Sequence, residues 1–123
     1  MNSLVVKRVY EPPDPGDGTR ILVDRLWPRG IARDKARIDL WLKDIAPSDA
    51  LRKRFHAKPD DWDVFRGAYA AELEGAAAQA AAEDLLDRLH DSTVTLLYGA
   101  RDERRNNAVA LKEWLERQRE RRT

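Results

Sequence analysis

Apolar residues occur in two patterns along this chain, as short continuous runs and as spaced positions with a period near about 3.6 residues. Three runs rich in aliphatic and β-branched residues, at 4–10, 20–26 and 93–98, predict β-strands. The third run is typical of a strand that is covered on both faces of its sheet. The first two runs are separated by residues 11–18, where dense proline and glycine predict a loop.

Apolar positions at i, i+3 and i+4 predict helices that begin near residues 34, 48, 59, 76 and 103. Ser48 is the expected N-cap of the second helix, and Pro59 followed by acidic residues is a strong start for the third. Gly75 separates the third helix from the Ala-rich fourth. The residues expected to lie on inward faces are Ile38, Trp41, Leu42, Ile45, Leu51, Phe55, Trp62, Phe65, Tyr69, Leu73, Leu85, Leu86, Leu89, Ala108, Leu111, Leu115 and Gln118.

This order of elements predicts an α/β fold in a single domain that spans residues 1–123. We expect a small sheet of about three to four strands, mainly parallel, covered by about four to five helices. The pattern does not determine the strand order, and the first two strands are compatible with a hairpin or with separate positions. The basic C-terminal helix end, residues 116–123, mixes Glu with Arg and is typical of a solvated helix end.

Composition indicates a folded domain with a heavily charged surface. Of the 123 residues, 42% are hydrophobic and 37% are charged, and four are Trp, which excludes a disordered chain. Lys and Arg total 23 against 22 for Asp and Glu. This near balance argues against a protein built mainly to coat nucleic acid.

The absence of cysteine excludes disulfides, thiol catalysis and thiolate metal sites. The N-terminal apolar run is too short for a signal peptide, and no run is long enough to span a membrane. We therefore expect a cytoplasmic protein without membrane association. No phosphate-binding loop, HExxH motif or GxSxG motif occurs, so we predict no cofactor and no metal. The sequence does not specify the oligomeric state.

Two polar loops follow predicted strands, at residues 24–30 and 98–107. In open α/β sheets, ligands bind beyond the carboxyl ends of the strands, so we expect these loops to be neighbours in space. Both loops combine Arg with Asp, and guanidinium groups bind phosphate or carboxylate bidentately. The sequence therefore predicts a site for a small anionic ligand such as a phosphate, a nucleotide or a carboxylate. The expected ligand-binding residues are Arg25, Trp27, Arg29, Tyr98, Arg101 and Asn106, and the candidate catalytic residues are Asp24 and Asp102.

Each residue type has an expected role in this site. The three arginines would hold the anion, the two aspartates would orient them or act as a base, and Trp27 or Tyr98 would cover the ligand. Gly99 would let the backbone approach the ligand closely, and the turn into the last helix near residue 103 would expose free backbone amides. Whether a reaction is catalysed stays open at this stage.

Other interpretations also stay open. Asp–Arg pairs at strand ends often only fix loops, in which case the polar cluster is structural. A nucleic-acid-binding or regulatory interaction module would instead use Arg104, Arg105 and the C-terminal arginines. His56 and His90 lie at predicted helix ends, where a positive charge is favourable, so each has a structural role that is an alternative to catalysis.

The tryptophans are expected to differ in exposure. Trp41 and Trp62 occupy inner faces of predicted helices, so each should be largely buried. Trp27 precedes Pro28, which keeps its backbone extended and out of a helix. In the candidate site loop, Trp27 should keep one face accessible.

A family resemblance is carried by four segments: RVYEPPDPGDGTRILVDRLWPRG, IDLWLKDIAPS, LRKRF and TLLYGARDERRNNAVALKEWL. These segments closely resemble the bacterial YeaO-like family, within domain-of-unknown-function group 488, and the similarity extends over residues 6–115. The resemblance implies a small cytosolic α/β domain and carries over no activity. Relatives often have Phe-Gly-His-Asp-Pro at residues 55–59, where His56 is displaced by one position. More distant members often carry cysteine where Tyr98 falls, and this chain supplies no thiol there.

Overall fold

The computed structural model describes residues 2–122 and contains a four-stranded sheet in which neighbouring strands are parallel. The strands are β1 (Leu4–Arg8), β2 (Thr19–Leu22), β3 (Leu40–Trp41) and β4 (Val94–Tyr98), in the order β1-β4-β2-β3. The α/β class and the parallel sheet are confirmed. The first two strands sit apart, because β4 lies between them.

The helices within residues 2–122 are α1 (Arg33–Ala36), α2 (Asp49–Ala57), α3 (Trp62–Glu72), α4 (Ala76–Asp91) and α5 (Asn107–Arg122). Ser48 caps α2 as predicted, since its hydroxyl accepts a hydrogen bond from the Leu51 amide at 3.1 Å. The Glu72 carboxylate accepts hydrogen bonds from the Ser48 amide at 2.7 Å and the Ser48 hydroxyl at 2.6 Å, which links α3 to the start of α2. None of these helices combines the length and apolarity needed to cross a membrane.

Different segments of the chain pack on the two faces of the sheet. Leu96 of β4 faces a large apolar core that includes Leu85 of α4 and Leu111 of α5. On the other face, Leu97 packs in a smaller cluster with Ile38 and residues of the segment that contains α1. The longer helices therefore pack on one face, and residues 27–38 cover the other.

The helix predicted from Ile38, Trp41, Leu42 and Ile45 is wrong. The segment forms β3, which pairs with β2, followed by one 3₁₀ turn. Ile38 and Trp41 pack with the smaller cluster, whereas Leu42 and Ile45 pack with the large core. The apolar spacing arises because this edge segment contributes side chains to both faces of the sheet, so its helical period was misleading.

The tryptophan predictions are corrected in the same region. Trp41 and Trp62 are partly exposed rather than largely buried, and Trp27 is partly exposed as predicted. Trp41 lies in an edge strand, where its indole N–H donates to the Asp24 carbonyl at 2.7 Å. The tryptophan that is buried is Trp114 on α5, at 4% exposure.

A buried charge cluster joins β1, β2 and α1. The Asp17 carboxylate accepts hydrogen bonds from Lys7 Nζ and from Arg20 Nη1. Arg20 is only 3% exposed, and its Nε donates to the Ala36 carbonyl at 3.1 Å. Burial acts to raise the pKa of Asp17, but the hydrogen bonds from Lys7, the Asp14 backbone and Arg20 outweigh it, so the pKa lies below 3.8. The folded protein therefore holds Asp17 in its charged form.

Gly18 makes the turn from this cluster into β2. Its φ of 65° and ψ of −134° lie in a region that favours glycine. A Cβ at this position would lie 2.1 Å from the Thr93 carbonyl oxygen. That oxygen accepts a hydrogen bond from the Thr19 amide at 2.9 Å, so the close approach belongs to the pairing of β2 with β4.

Candidate functional site

The loops that follow β2 and β4 meet at the side chain of Asp24. Its Oδ2 accepts a hydrogen bond from the Gly99 amide at 2.8 Å, and its Oδ1 accepts one from Asn107 Nδ2 at 3.0 Å. Asn107 Nδ2 also donates to the Val23 carbonyl at 3.1 Å. The prediction that the two loops are neighbours is confirmed. Asn107, which was not among the predicted site residues, is part of their junction.

A cavity of about 710 Å³ lies beside Asp24. Its size is that of a small-molecule site, since such pockets span roughly 300–1,000 Å³. The two loops, α2 and the turn after α2 supply most of its wall. The lining residues are Tyr10, Asp24, Arg25, Leu26, Trp27, Pro28, Pro47, Arg52, Phe55, His56, Pro59, Phe65, Gly99, Ala100, Arg101, Asp102, Arg105, Asn106 and Asn107.

The three predicted anion-binding arginines have different positions. Arg101 lines the cavity, and its side chain makes no hydrogen bond or ion pair with any of residues 2–122. Arg25 also lines the cavity, but its guanidinium donates to the Pro47 carbonyl at 2.9 Å and to the preceding carbonyl at 3.3 Å. Arg29 is exposed and lies outside the cavity wall. Arg101 is therefore the predicted arginine best placed for a ligand.

The cavity is also lined by two arginines, Arg52 and Arg105, that were not among the predicted ligand-binding residues. Arg52 projects from α2, where its Nη2 donates to Asp49 at 2.7 Å. Its buried Nε has no hydrogen-bond partner among residues 2–122. The Arg105 guanidinium likewise makes no hydrogen bond within the described part of the chain. Three arginines thus retain donor capacity at this cavity.

Asp102 holds the loop that precedes α5. Its Oδ1 accepts hydrogen bonds from the amides of Arg104 at 2.9 Å and Arg105 at 3.0 Å. These hydrogen bonds lower the pKa of the Asp102 carboxyl below 3.8. The last helix begins at Asn107 rather than near residue 103, and two of the amides expected to be free for a ligand, those of Arg104 and Arg105, are bound by the Asp102 carboxylate.

Two other predicted ligand-binding residues have structural roles. Asn106, at 1% exposure, accepts a hydrogen bond from the Val109 amide at 2.9 Å and so caps α5. Tyr98, at 3% exposure, packs in the large core and lies outside the cavity wall, and burial raises its pKa. Trp27 does line the cavity, and its indole N–H donates to the Ile31 carbonyl at 2.9 Å.

The backbone of Gly99 lies close to the Asp24 carboxyl group, to which its amide donates a hydrogen bond. A Cβ on Gly99 would lie 3.1 Å from Asp24 Oδ2, so a small residue is favoured there. Burial raises the pKa of Asp24 above 3.8, and the hydrogen bonds from Asn107 and Gly99, with the charge of Arg52, oppose only part of this rise. Folding therefore disfavours the charged form of Asp24.

Replacing Asp24 with asparagine is expected to change how stability depends on pH. The raised pKa means that the folded chain binds this proton more tightly than the unfolded chain, whose pKa is near 3.8. This stabilising contribution is full below the unfolded pKa and is lost as pH rises through the folded pKa. The wild-type minus Asp24→Asn difference in unfolding free energy should therefore decrease from about pH 4 to 7, as measured by urea denaturation. A difference that grows with pH would contradict this reading.

Few side chains of the cavity wall carry a hydroxyl or a carboxyl group. Among the described lining residues there is no Ser, Thr or Cys, and the Tyr10 hydroxyl donates to the Arg29 carbonyl at 3.0 Å. Both candidate catalytic aspartates accept hydrogen bonds from backbone amides. No group of three His, Asp or Glu side chains in residues 2–122 is arranged to hold a metal ion.

The basic C-terminal end is partly engaged within the domain. Arg119 Nη2 donates to the Asn2 carbonyl at 2.7 Å, and Arg122 Nη2 contacts Asp87 Oδ1 at 3.1 Å. These contacts fasten the end of α5 to the rest of the domain.

Similar proteins occur in several bacteria. The family model described as "Inactive DUF488-N3 subclade" matches residues 3–123. The chain is 46% identical to the uncharacterized protein YeaO of Escherichia coli (strain K12) over 109 residues, which cover 89% of this chain and 93% of that protein. It is 44% identical to the uncharacterized protein Rv3073c of Mycobacterium tuberculosis (strain ATCC 25618 / H37Rv) over 110 residues, which cover 89% and 91% of the two chains. No solved structure matches significantly.

Proposed function

Because the chain belongs to the DUF488-N3i family, the inactive DUF488-N3 subclade, we propose that its cavity binds a small anionic ligand without transforming it. The observation that carries the proposal is Arg101, whose guanidinium lines the cavity without any partner among residues 2–122. Arg105 adds a second guanidinium without a hydrogen bond in that part of the chain. Such groups suit a ligand phosphate or carboxylate, which accepts bidentate hydrogen bonds.

The state of the carboxylates supports binding rather than turnover. Asp24 bridges the Gly99 amide and Asn107, and Asp102 binds two amides of its own loop. Each of these hydrogen bonds joins a carboxyl group to a loop of the cavity wall. Here both carboxylates hold the walls of the cavity in place, which suits a site with a fixed shape.

Arg101→Ala is expected to weaken the binding of inorganic phosphate by about tenfold or more, because a charge-assisted hydrogen bond is lost. Its unfolding free energy should change by less than about 0.5 kcal/mol, since the side chain is exposed and unpaired in the described structure. Amide chemical shifts of Gly99 and Asn107 during a phosphate titration measure the first effect. Thermal melting measures the second.

Arg104→Ala is the matched control. Arg104 is exposed in the same loop but does not line the cavity, so its loss should leave phosphate binding nearly unchanged. Equal weakening in both variants would point to diffuse attraction by the basic loop. Nucleic-acid binding through several phosphate contacts would fall about 10³-fold or more between 50 and 200 mM salt. No response of the wild type to millimolar phosphate or sulfate would refute the proposed function.

A further inference from the structure

Aromatic rings form part of the cavity wall beside the arginines. Phe55 and Phe65 stack with centroids 4.3 Å apart and planes inclined by 25°. Trp27 packs edge to face against Trp41, with centroids 5.2 Å apart. Phe55 and Trp27 are partly exposed and line the cavity, whereas Phe65 is buried. Tyr10 adds a third, exposed ring to the wall, and Phe55 and Trp27 are the two rings that pack against an apolar cluster and also offer surface to a ligand.

Contacts within the chain hold these two rings. Phe55 also lies against Trp62, at a centroid distance of 5.7 Å. The indole N–H of Trp27 is satisfied by the Ile31 carbonyl, so the ring presents an apolar surface to the cavity. Rings that are already positioned lose little conformational freedom when a planar group stacks on them, which favours binding.

The charges around the cavity favour a dianion. Four guanidinium groups and two carboxyl groups line it, those of Arg25, Arg52, Arg101, Arg105, Asp24 and Asp102. Arg52 pairs with Asp49, but the Arg101 and Arg105 side chains form no ion pair within residues 2–122, so two positive charges at the cavity have no counter-charge in direct contact. A carboxylate ligand would neutralise one of these charges. A phosphate monoester carries a charge of about −1.5 to −2 at neutral pH and would neutralise nearly both.

We propose that the ligand is a phosphate monoester of a planar aromatic compound, with a nucleoside monophosphate as the representative chemistry. The inference rests on the anion site proposed above. Arg101 and Arg105 bind the phosphate, and Phe55 or Trp27 stacks on the ring. The cavity of about 710 Å³ is far larger than a bare phosphate needs, and its apolar wall has no role in binding one.

The test compares ligands on the full chain at one salt concentration. Adenosine monophosphate, ribose 5-phosphate and adenosine are titrated separately, with binding measured by calorimetry or amide chemical shifts. Adenosine monophosphate should bind about tenfold or more tightly than ribose 5-phosphate, because it adds stacking of the base on an aromatic side chain. Its affinity should exceed that of adenosine by a similar factor, because adenosine lacks the charged phosphate.

Variants separate the ring from the charge. Phe55→Leu and Trp27→Leu each keep an apolar side chain, so the variant that removes the stacking ring should weaken the binding of adenosine monophosphate about tenfold and leave the binding of ribose 5-phosphate unchanged. Arg101→Ala should weaken the binding of both ligands. Trp27→Leu gives a second, independent loss of a ring if Phe55→Leu proves too unstable, since Trp27 packs with the other apolar cluster. Val64→Ala, at an exposed position outside the cavity, should change neither affinity.

The outcomes distinguish this inference from the proposed function. Equal affinities for adenosine monophosphate and ribose 5-phosphate, both reduced by Arg101→Ala, would overturn the aromatic requirement and leave the anion site standing. Tighter binding of an aromatic carboxylate, such as indole-3-carboxylate, would overturn the phosphate assignment. Binding of no anion at all would overturn both proposals.

Discussion

Asp17→Ala is expected to lower the free energy of unfolding by about 3–5 kcal/mol. The carboxylate neutralises Arg20, whose side chain is almost wholly enclosed, and also accepts a hydrogen bond from Lys7. Without it, the buried guanidinium keeps its charge and loses its carboxylate partner. Chemical denaturation of both proteins at neutral pH measures the difference.

The chain contains a natural control for this prediction. Asp63 and Arg66 form an ion pair at the same i, i+3 spacing, but their side chains are 87% and 40% exposed, against 11% and 4% for Asp17 and Arg20. Asp63→Ala should therefore cost less than about 1 kcal/mol. Similar losses in the two variants would show that burial does not determine the effect.

Acid should remove the advantage that Asp17 gives the wild type. Its folded pKa lies below the unfolded value of 3.8, so its stabilising contribution is present above that value and is lost as pH falls through the folded pKa. The wild-type minus Asp17→Ala difference should accordingly shrink in strongly acid solution. A difference that persists unchanged there would argue that packing, and not charge, is what the variant loses.

Gly18→Ala is expected to destabilise the fold by about 3 kcal/mol or more, through a disfavoured backbone conformation and a steric clash. The added methyl group would sit 2.1 Å from the Thr93 carbonyl oxygen. This oxygen accepts the Thr19 hydrogen bond, so it can move away only if the first rung between β2 and β4 opens. Thermal and urea denaturation of the variant would show the loss directly.

The same substitution at Gly67 should have the opposite sign. Gly67 lies inside α3, and a Cβ there would meet no atom within 4 Å. Alanine has the higher helix propensity, so Gly67→Ala should raise the unfolding free energy by about 0.5–1 kcal/mol. A loss at Gly67 as large as the loss at Gly18 would mean that the geometry of the β2 turn is not the cause.

The meeting of the two loops could be predicted because parallel strands bring their carboxyl ends to one edge. Which side chains reach the cavity depends on finer geometry. Tyr98 continues the alternation of Val94 and Leu96 and packs with them in the large core, so the period of two within β4 already carried that signal. Arg29 carried no such signal, because it lies beyond the end of regular structure.

Other parts of the site depend on contacts that local patterns do not encode. Arg52 reaches the cavity only because α2 docks beside the loop of Asp24. Asn107 lies at the start of α5, but its bond to Asp24 joins positions that are 83 residues apart. The edge strand β3 was mistaken for a helix because its flanking residues serve two faces of the sheet. Such tertiary placements override the apolar period of a short segment.

The strand order also determines when the sheet can assemble during synthesis. Strand β4 lies between β1 and β2, and its residue Val94 pairs with both Leu4 and Thr19. At about 5–20 residues per second, roughly 4–15 s separate the completion of β2 from that of β4. During that interval β1 has been synthesised but the strand that it pairs with has not. The charges of Lys7 and Arg8 disfavour pairing of β1 with other nascent chains. An interior strand, β4, is thus the last of these four strands to be translated, so the sheet can be completed only late in synthesis.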